Sequence, residues 1–460
     1  MSHETSVRMT SRIFALMFII GFIVAVTIVY EPYIPRELYL IVAVIIAYIM
    51  VMRVIVEFSA RAIHKLKVER IYEKPLIEGK EAQFITRIIN PTFYPLLYVE
   101  VSDNYPSTFV KVKGTNISSG IIPAKGYLEL SYRLIPRIGT HEFTGVEVIA
   151  RDLLGLFYYR AIIPGSRELV KVRPKPMPLP PRALGRWVST SLGLSKARMK
   201  GIGQEFMGLR EYVPGDDYRF IDWKAFARYH KPFVKEFEKE ASLNLVIILD
   251  ATSAMYHGIL GKTMLEEAIR VIAGVGQVTS QKGDWIGLTI RMPDEIIFIP
   301  PKRGKTQYYR ILDAMADIRI YLPGSEPPIR YSLGDALKYS ITRLPRRTKT
   351  LFMLFTSISS YVLSDKGKVE LAELIDAAKK AVAMRHGVVV VSPLPELYEL
   401  EEIRGPEASL YTILAYPNIA KASEAARILA RNGIRVIQVG PSTLLPRLLA
   451  FIEEFRSVTL

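Results

Sequence analysis

Two uncharged apolar runs joined by a short proline-bearing turn constrain this chain most. Residues 13–30 hold no charged side chain. At about 1.5 Å per residue a helix of that length spans about 27 Å, close to the hydrocarbon thickness of a bilayer. Residues 38–56 form a second run, interrupted only by Arg53 near its end, where a long side chain can reach the interface. The turn between them, residues 31–36, reads EPYIPR. The pattern predicts a transmembrane helical hairpin, helices over about 13–30 and 38–56, within a first segment of residues 1–57. A cleaved signal peptide fits less well, because a second span follows at once and no small-residue cleavage site lies between them.

Basic residues set the expected orientation. Arg8 and Arg12 precede the first run, Arg53, Arg61, Lys65, Lys67 and Arg70 close or follow the second, and only Arg36 lies in the turn. The positive-inside rule then places both termini and the bulk of the chain on the cytoplasmic side of the cell membrane. Half of the residues are apolar and the mean hydropathy is +0.19, as a membrane segment requires. There is no cysteine, which excludes disulfides and thiolate metal sites. The net charge of +16 is spread along the chain without a Lys/Arg run or an aromatic-interleaved basic motif. That argues for an anionic membrane surface and against nucleic acid as a partner.

Beyond the hairpin the periodicity shortens. Segments rich in Val, Ile, Tyr, Phe and Thr fall at residues 68–72, 81–89, 97–101, 109–112, 126–134, 143–150 and 156–163, separated by Asn-Pro, Lys-Gly and Pro-Gly turns. They predict an all-β sandwich over residues 58–172. Pro174, Pro176, Pro178, Pro180 and Pro181 then form an extended, semi-rigid connector, part of a linking segment over residues 173–240. From residue 241 to 460 apolar strands alternate with helices. Strands are expected at 243–250, 284–292, 295–300, 350–356, 386–391 and 434–439, and helices at 262–282, 305–320, 332–344, 369–385, 420–432 and 443–455. Continuous apolar strands between helices predict a mostly parallel, doubly wound α/β sheet. Ligands of such sheets bind at the carboxyl ends of the strands, an edge that here carries Asp250, Thr252 and Ser253 on one loop and Thr356 and Ser357 on another.

Residues 205–228, EFMGLREYVPGDDYRFIDWKAFAR, carry the densest motif. Near-balanced charges surround Phe206, Leu209, Tyr212, Ile221, Trp223 and Phe226, with Pro214-Gly215 making a reversal. Such a set can build an Arg–carboxylate clasp, present a docking surface, or, through Asp216, Asp217 and Asp222, form an acid/base or metal site if the carboxylates converge. The order Glu205, Arg210, Tyr212, Gly215-Asp216, Arg219, Ile221-Asp222-Trp223, Ala227-Arg228 resembles the domain of unknown function family fifty-eight. The segments Arg137-Ile-Gly-Thr-His141 and Arg151-Asp-Leu-Leu-Gly-Leu-Phe157 resemble that family's sandwich motifs, where the glycines and the aspartate are expected to shape turns. The likeness covers about residues 60–400. It implies a membrane-anchored protein with a von Willebrand factor A-like domain, and a MoxR-type AAA+ ATPase as partner.

The A-domain resemblance also implies a divalent metal, held through D-x-S-x-S, a threonine and T-D-G. Here Asp250 matches and Thr252 keeps the first hydroxyl, but Ala254 replaces the second serine, the threonine loop falls near Tyr331-Ser332, and Thr356-Ser357-Ile358 stands where T-D-G would be. Asp250, Thr252 and Thr356 therefore form a degenerate set, weak for Mg2+ because one carboxylate and two hydroxyls supply few hard oxygen ligands. No cofactor is expected. The stretch Gly261-Lys262-Thr263 mimics a phosphate-binding loop but has Tyr256 at the position of the first glycine. No H-x-x-x-H spacing and no G-x-S-x-G elbow occurs. Two readings follow: a membrane-tethered cytoplasmic interaction scaffold acting as an ATPase adaptor, or a metal-dependent or acid/base enzyme of cell-envelope chemistry using the acidic motif or the Asp250 edge.

Overall fold

A computed structural model describes residues 7–29, 37–178, 200–201, 205–238, 243–258, 261–319, 327–345, 348–363, 365–394, 405–439 and 441–459. The expected turn at 31–36, and Pro180 and Pro181 of the connector, lie outside these residues. The chain forms two compact units, Met1–Arg173 and Pro174–Leu460.

The first unit opens with helices α1 (Ser11–Val29) and α2 (Glu37–Ile63). Within α2, Tyr39–Ile63 is long and apolar enough to cross a membrane, and Ser11–Val26 is a shorter apolar stretch. The second apolar run was expected to end at residue 56, but the helix continues to Ile63 because its last turns bury Val56, Ala60, Ala62 and Ile63 in a β-rich core. Ile13 of α1 belongs to the same cluster, and Leu16, Tyr48, Ile49 and Met52 pack against it.

The β-rich part comprises a five-stranded, a four-stranded and a three-stranded sheet. The five-stranded sheet runs Arg8–Met9, Phe157–Ile162, Gly145–Arg151, Leu96–Asn104, Ile117–Ile122, all antiparallel, and α2 packs on its three central strands. Among the strands that composition did not mark, Ile117–Ile122 pairs with Leu96–Asn104, and Gly139–Phe143 and Glu168–Arg173 pair with each other. Alternation along Ala82–Ile89 and Tyr127–Ile135 buries every second residue, including Phe84, Ile88, Tyr132 and Leu134, as a half-buried strand requires.

Both motif segments of this unit build turns. Asp152 accepts from the backbone N–H groups of Leu154 (3.1 Å) and Phe157 (2.6 Å), closing the turn around Gly155, whose φ is +66°. Thr10 and the first turn of α1 dock on that turn: Thr10 N donates to Leu156 O (2.9 Å), Thr10 Oγ1 to Gly155 O (2.8 Å) and Arg12 Nη1 to Leu154 O (3.2 Å). His141 lies within bonding distance of Thr108 Oγ1 and of the Arg137 and Ile138 carbonyls, tying its own turn.

The second unit is built on a six-stranded sheet in the order Ile296–Lys302, Trp285–Arg291, Asn244–Asp250, Leu351–Phe355, Gly387–Pro393, Arg435–Val439. All neighbours are parallel except the antiparallel Ile296–Lys302 edge. Val246, Ile248, Phe352, Leu354 and Val390 pack on helices Leu333–Thr342, Asp365–Ala383 and Pro406–Arg431. The alternate residues Leu245, Ile247 and Leu249 are equally buried and point to the opposite face. Helix Pro406–Arg431 starts well before the expected residue 420, because Pro417 is accommodated inside it.

Candidate functional site

Asp250 ends the central strand and is buried, 1% exposed. Its Oδ1 accepts from Thr252 N (3.3 Å) and Thr252 Oγ1 (2.8 Å). Its Oδ2 accepts from Thr356 Oγ1 (2.8 Å) and Arg291 Nη1 (3.2 Å). The three residues of the degenerate set, Asp250, Thr252 and Thr356, thus meet at one carboxylate. A carboxylate offers about four acceptor directions, and here all are taken.

Arg291 is the participant that sequence reasoning missed. It sits opposite Asp250 in the register of the two adjacent parallel strands. Its side chain is 2% exposed, and it also donates through Nε to Tyr331 O (2.7 Å) and through Nη2 to Glu370 (3.4 Å). Burial disfavours its charge, but Asp250 and Glu370 more than restore it, so the guanidinium is held above its ordinary value. Burial, and then the Asp250 charge, push the Tyr361 phenol upward beside Thr356 Oγ1. A divalent cation does not fit this arrangement, because the guanidinium already occupies the carboxylate it would need. Ser332, near the expected threonine loop, instead caps helix Leu333–Thr342 in a capping box with Asp335. Among the described residues no group of three or more His, Asp or Glu side chains is placed to hold a metal ion.

The motif of residues 205–228 belongs to a small antiparallel sheet in which Phe233–Glu238 pairs with Glu205–Glu211 on one side and Lys200–Gly201 on the other, with a short helix, Trp223–Tyr229, in the connection. Glu205 opens the first strand. Arg210 grips Asp216 through two parallel bonds, 2.7 and 2.5 Å, and Asp216 also accepts from Val213 N (2.9 Å). This closes the reversal at Gly215, whose φ of +109° only glycine adopts without strain. Arg219 pairs with Asp217 (2.9 Å), and Asp222 caps the helix by accepting from Lys224 N (3.0 Å) and Ala225 N (3.2 Å). Tyr212 N and Asp222 N donate to the Pro232 and Phe233 carbonyls, both 2.8 Å, tying the connection to the second strand. The three carboxylates therefore do not converge; each serves its own turn or cap. Trp223 (65% exposed) and Tyr218 (73%) face solvent, as do Phe226, Arg228 and Tyr229.

The pairing depresses all three acids. The Arg210 hydrogen bonds hold Asp216 below the usual carboxylate range, those of Arg219 hold Asp217 there, and the Ala225 amide leads the effect on Asp222. A depressed carboxylate contributes stability that is complete above its unfolded pKa and is lost as pH falls through the folded one. Amide exchange at Val213, Lys224 and Ala225, corrected for intrinsic rates, should therefore stay constant between about pH 5 and 8 and accelerate below about pH 4. Asp216→Asn should remove the acid transition at Val213 and leave that of Lys224 in place.

Residues 208–399 match the family described as Protein of unknown function DUF58. The chain is similar to the Uncharacterized protein YeaD of Bacillus subtilis, 26% identical over 253 residues, covering 54% of this chain and 60% of that one. An uncharacterized protein of Mycobacterium tuberculosis is 24% identical over 204 residues, 44% of this chain and 59% of its own. The chain thus spans about three fifths of the length of these curated relatives. Among solved structures, proximal thread matrix protein 1 from the mussel byssus aligns with a TM-score of 0.27 and 13% identity over 47% of this chain and 48% of that chain, too low to assign a fold.

Proposed function

We propose that this chain is a membrane-tethered cytoplasmic interaction scaffold whose second unit, a von Willebrand factor A-like domain, recruits a MoxR-type AAA+ ATPase. One observation carries the reading. The carboxylates of both candidate centres are engaged by a neighbouring cation, hydroxyl or backbone amide, while the aromatic side chains of the same motif face solvent. In this reading the saturated carboxylates hold a surface in shape rather than act as a base or metal ligand. Exposed Trp and Tyr beside Lys224 and Arg228 are the residue types that anchor protein interfaces.

The tether is a hairpin in this reading. The strand Arg8–Met9 before α1 pairs with Phe157–Ile162 of the unit that α2 enters. Two helices whose outer ends meet on one β-rich unit cross and return, so both flanks lie on one side. Arg8, Arg12, Arg53 and Arg61 make that side the cytoplasm.

The test is a photo-crosslinker, p-benzoylphenylalanine, placed at Trp223 and, as an exposed reference, at Tyr309 in the full-length protein in native membranes. An AAA+ ATPase adduct from position 223 and none from 309 is the expected result. No ATPase adduct from position 223, or equal adducts from both, would contradict the proposal.

A further inference from the structure

We propose that the β-rich unit rests directly on the bilayer, with Phe93, Tyr94, Tyr98, Leu153 and Leu154 forming a rim seated in the lipid interface. The inference rests on the reading of α2 as a membrane anchor. All five side chains are exposed, Phe93 by 80% and Tyr94 by 64%. Exposed large apolar side chains beside a membrane span call for a cover, and the covalent path of the chain says which one. The apolar run of α2 reaches Val56, and Val56 is already inside the β-rich core, so no linker separates the span from the folded unit.

Two independent contacts place Tyr94 and Leu154 close to the outer ends of the apolar runs, while Tyr48, Ile49 and Met52 of the span pack against the same core. Phe58 lies five residues beyond Arg53, about 7.5 Å along the helix, which is about the thickness of one headgroup layer. Its ring lies 6.2 Å from that of Tyr94. On the other helix, Arg12 stands at the start of α1 and donates to Leu154 O (3.2 Å), which puts Leu153 and Leu154 level with the beginning of that apolar run. The loops carrying the rim are built to hold it outward. Asn90 braces its loop by donating to Tyr94 O (2.8 Å) and Pro123 O (3.1 Å) and accepting from Thr92 N (3.0 Å). Tyr98 takes a positive φ of +51° at a register shift between Leu96 and Val99, an unfavourable conformation for an aromatic residue. The Asp152 turn projects the two leucines. Lys125 lies 4.2 Å over the Phe93 ring and Arg61 5.9 Å over Phe58. Aromatic rings accompanied by long cations are the composition of a membrane-interface belt.

Because the chain has no cysteine, single cysteines can carry nitroxide labels without further engineering. Full-length Tyr94→Cys, Leu154→Cys, Val44→Cys and Gln83→Cys would be placed in nanodiscs of phosphatidylcholine and phosphatidylglycerol. Oxygen and nickel-chelate accessibilities would be read by power saturation, on labelled proteins that melt like the unlabelled one. Gln83 is the aqueous reference, at the far end of the strand Ala82–Ile89 from the 90–96 loop. Positions 94 and 154 should show oxygen-to-nickel ratios several-fold above position 83 and below position 44. If 94 or 154 reads like 83 while 44 reads as lipid, the rim proposal is overturned and the anchor stands. If 44 itself reads as water, the anchor reading fails and takes the rim with it.

Discussion

Arg291→Met should destabilise the second unit by about 3–5 kcal/mol, the scale for removing one partner of a buried ion pair. The side chains of Arg291 and Asp250 are 2% and 1% exposed, so water cannot take over the lost partner's role. Methionine keeps most of the volume, which makes the loss electrostatic rather than a cavity effect. Asp250 would keep its two threonine hydroxyls and the Thr252 amide but lose its only cation among the described residues, and Glu370 would lose its link to the same guanidinium. The double variant Asp250→Asn, Arg291→Met should recover much of the loss, since it leaves a neutral hydrogen-bonding side chain in place of an unbalanced charge. Urea unfolding of both variants checks this; near-equal stabilities for the two would show that the pair is not coupled.

Arg70→Met should be of similar size in the first unit. Arg70 and Asp103 have side chains 2% and 0% exposed, joined by bonds of 3.0 and 2.7 Å. Asp103 also accepts from Thr86 Oγ1 (2.6 Å) and Tyr132 OH (2.7 Å), and Arg70 donates to Ser166 O (2.6 Å) while lying 4.6 Å over the Phe143 ring. The pair therefore joins strands Lys67–Tyr72, Ala82–Ile89, Leu96–Asn104 and Tyr127–Ile135. Losing the arginine strands a buried carboxylate, at about 3–5 kcal/mol. Thermal unfolding of the full chain should show the loss; a melting temperature within a degree of the parent would mean that water reaches Asp103.

What was legible in the sequence is what local pattern encodes. The apolar strand expected at 243–250 is legible from its composition, and Asp250 and Thr356 fall at one edge because each ends such a strand. Arg291 could not be assigned from spacing, because its pairing depends on how two parallel strands register across a separation of 41 residues. The one available signal was a charged residue closing an otherwise apolar strand, WIGLTIR. Helix α2 was cut short at residue 56 because Glu57 and Arg61 interrupt the apolar run. Only the β-rich core explains why Ala60 and Ile63 continue it. The strands Glu205–Glu211 and Phe233–Glu238 carry too many charged residues to show an apolar strand pattern, and one of these, Arg210, serves the turn at Gly215. The helix expected at 420–432 is the C-terminal part of Pro406–Arg431, which runs through Pro417.

The claim that a guanidinium, rather than a bound cation, balances Asp250 is tested most directly by Mn2+ binding. Electron paramagnetic resonance of free Mn2+ would be recorded over a titration of the full-length protein and of Asp250→Asn. The account predicts identical titrations, with no Mn2+ withdrawn by the parent that the variant does not also withdraw. Loss of one equivalent of the free-ion signal in the parent, restored in Asp250→Asn, would contradict it and return the Asp250, Thr252 and Thr356 edge to a metal site.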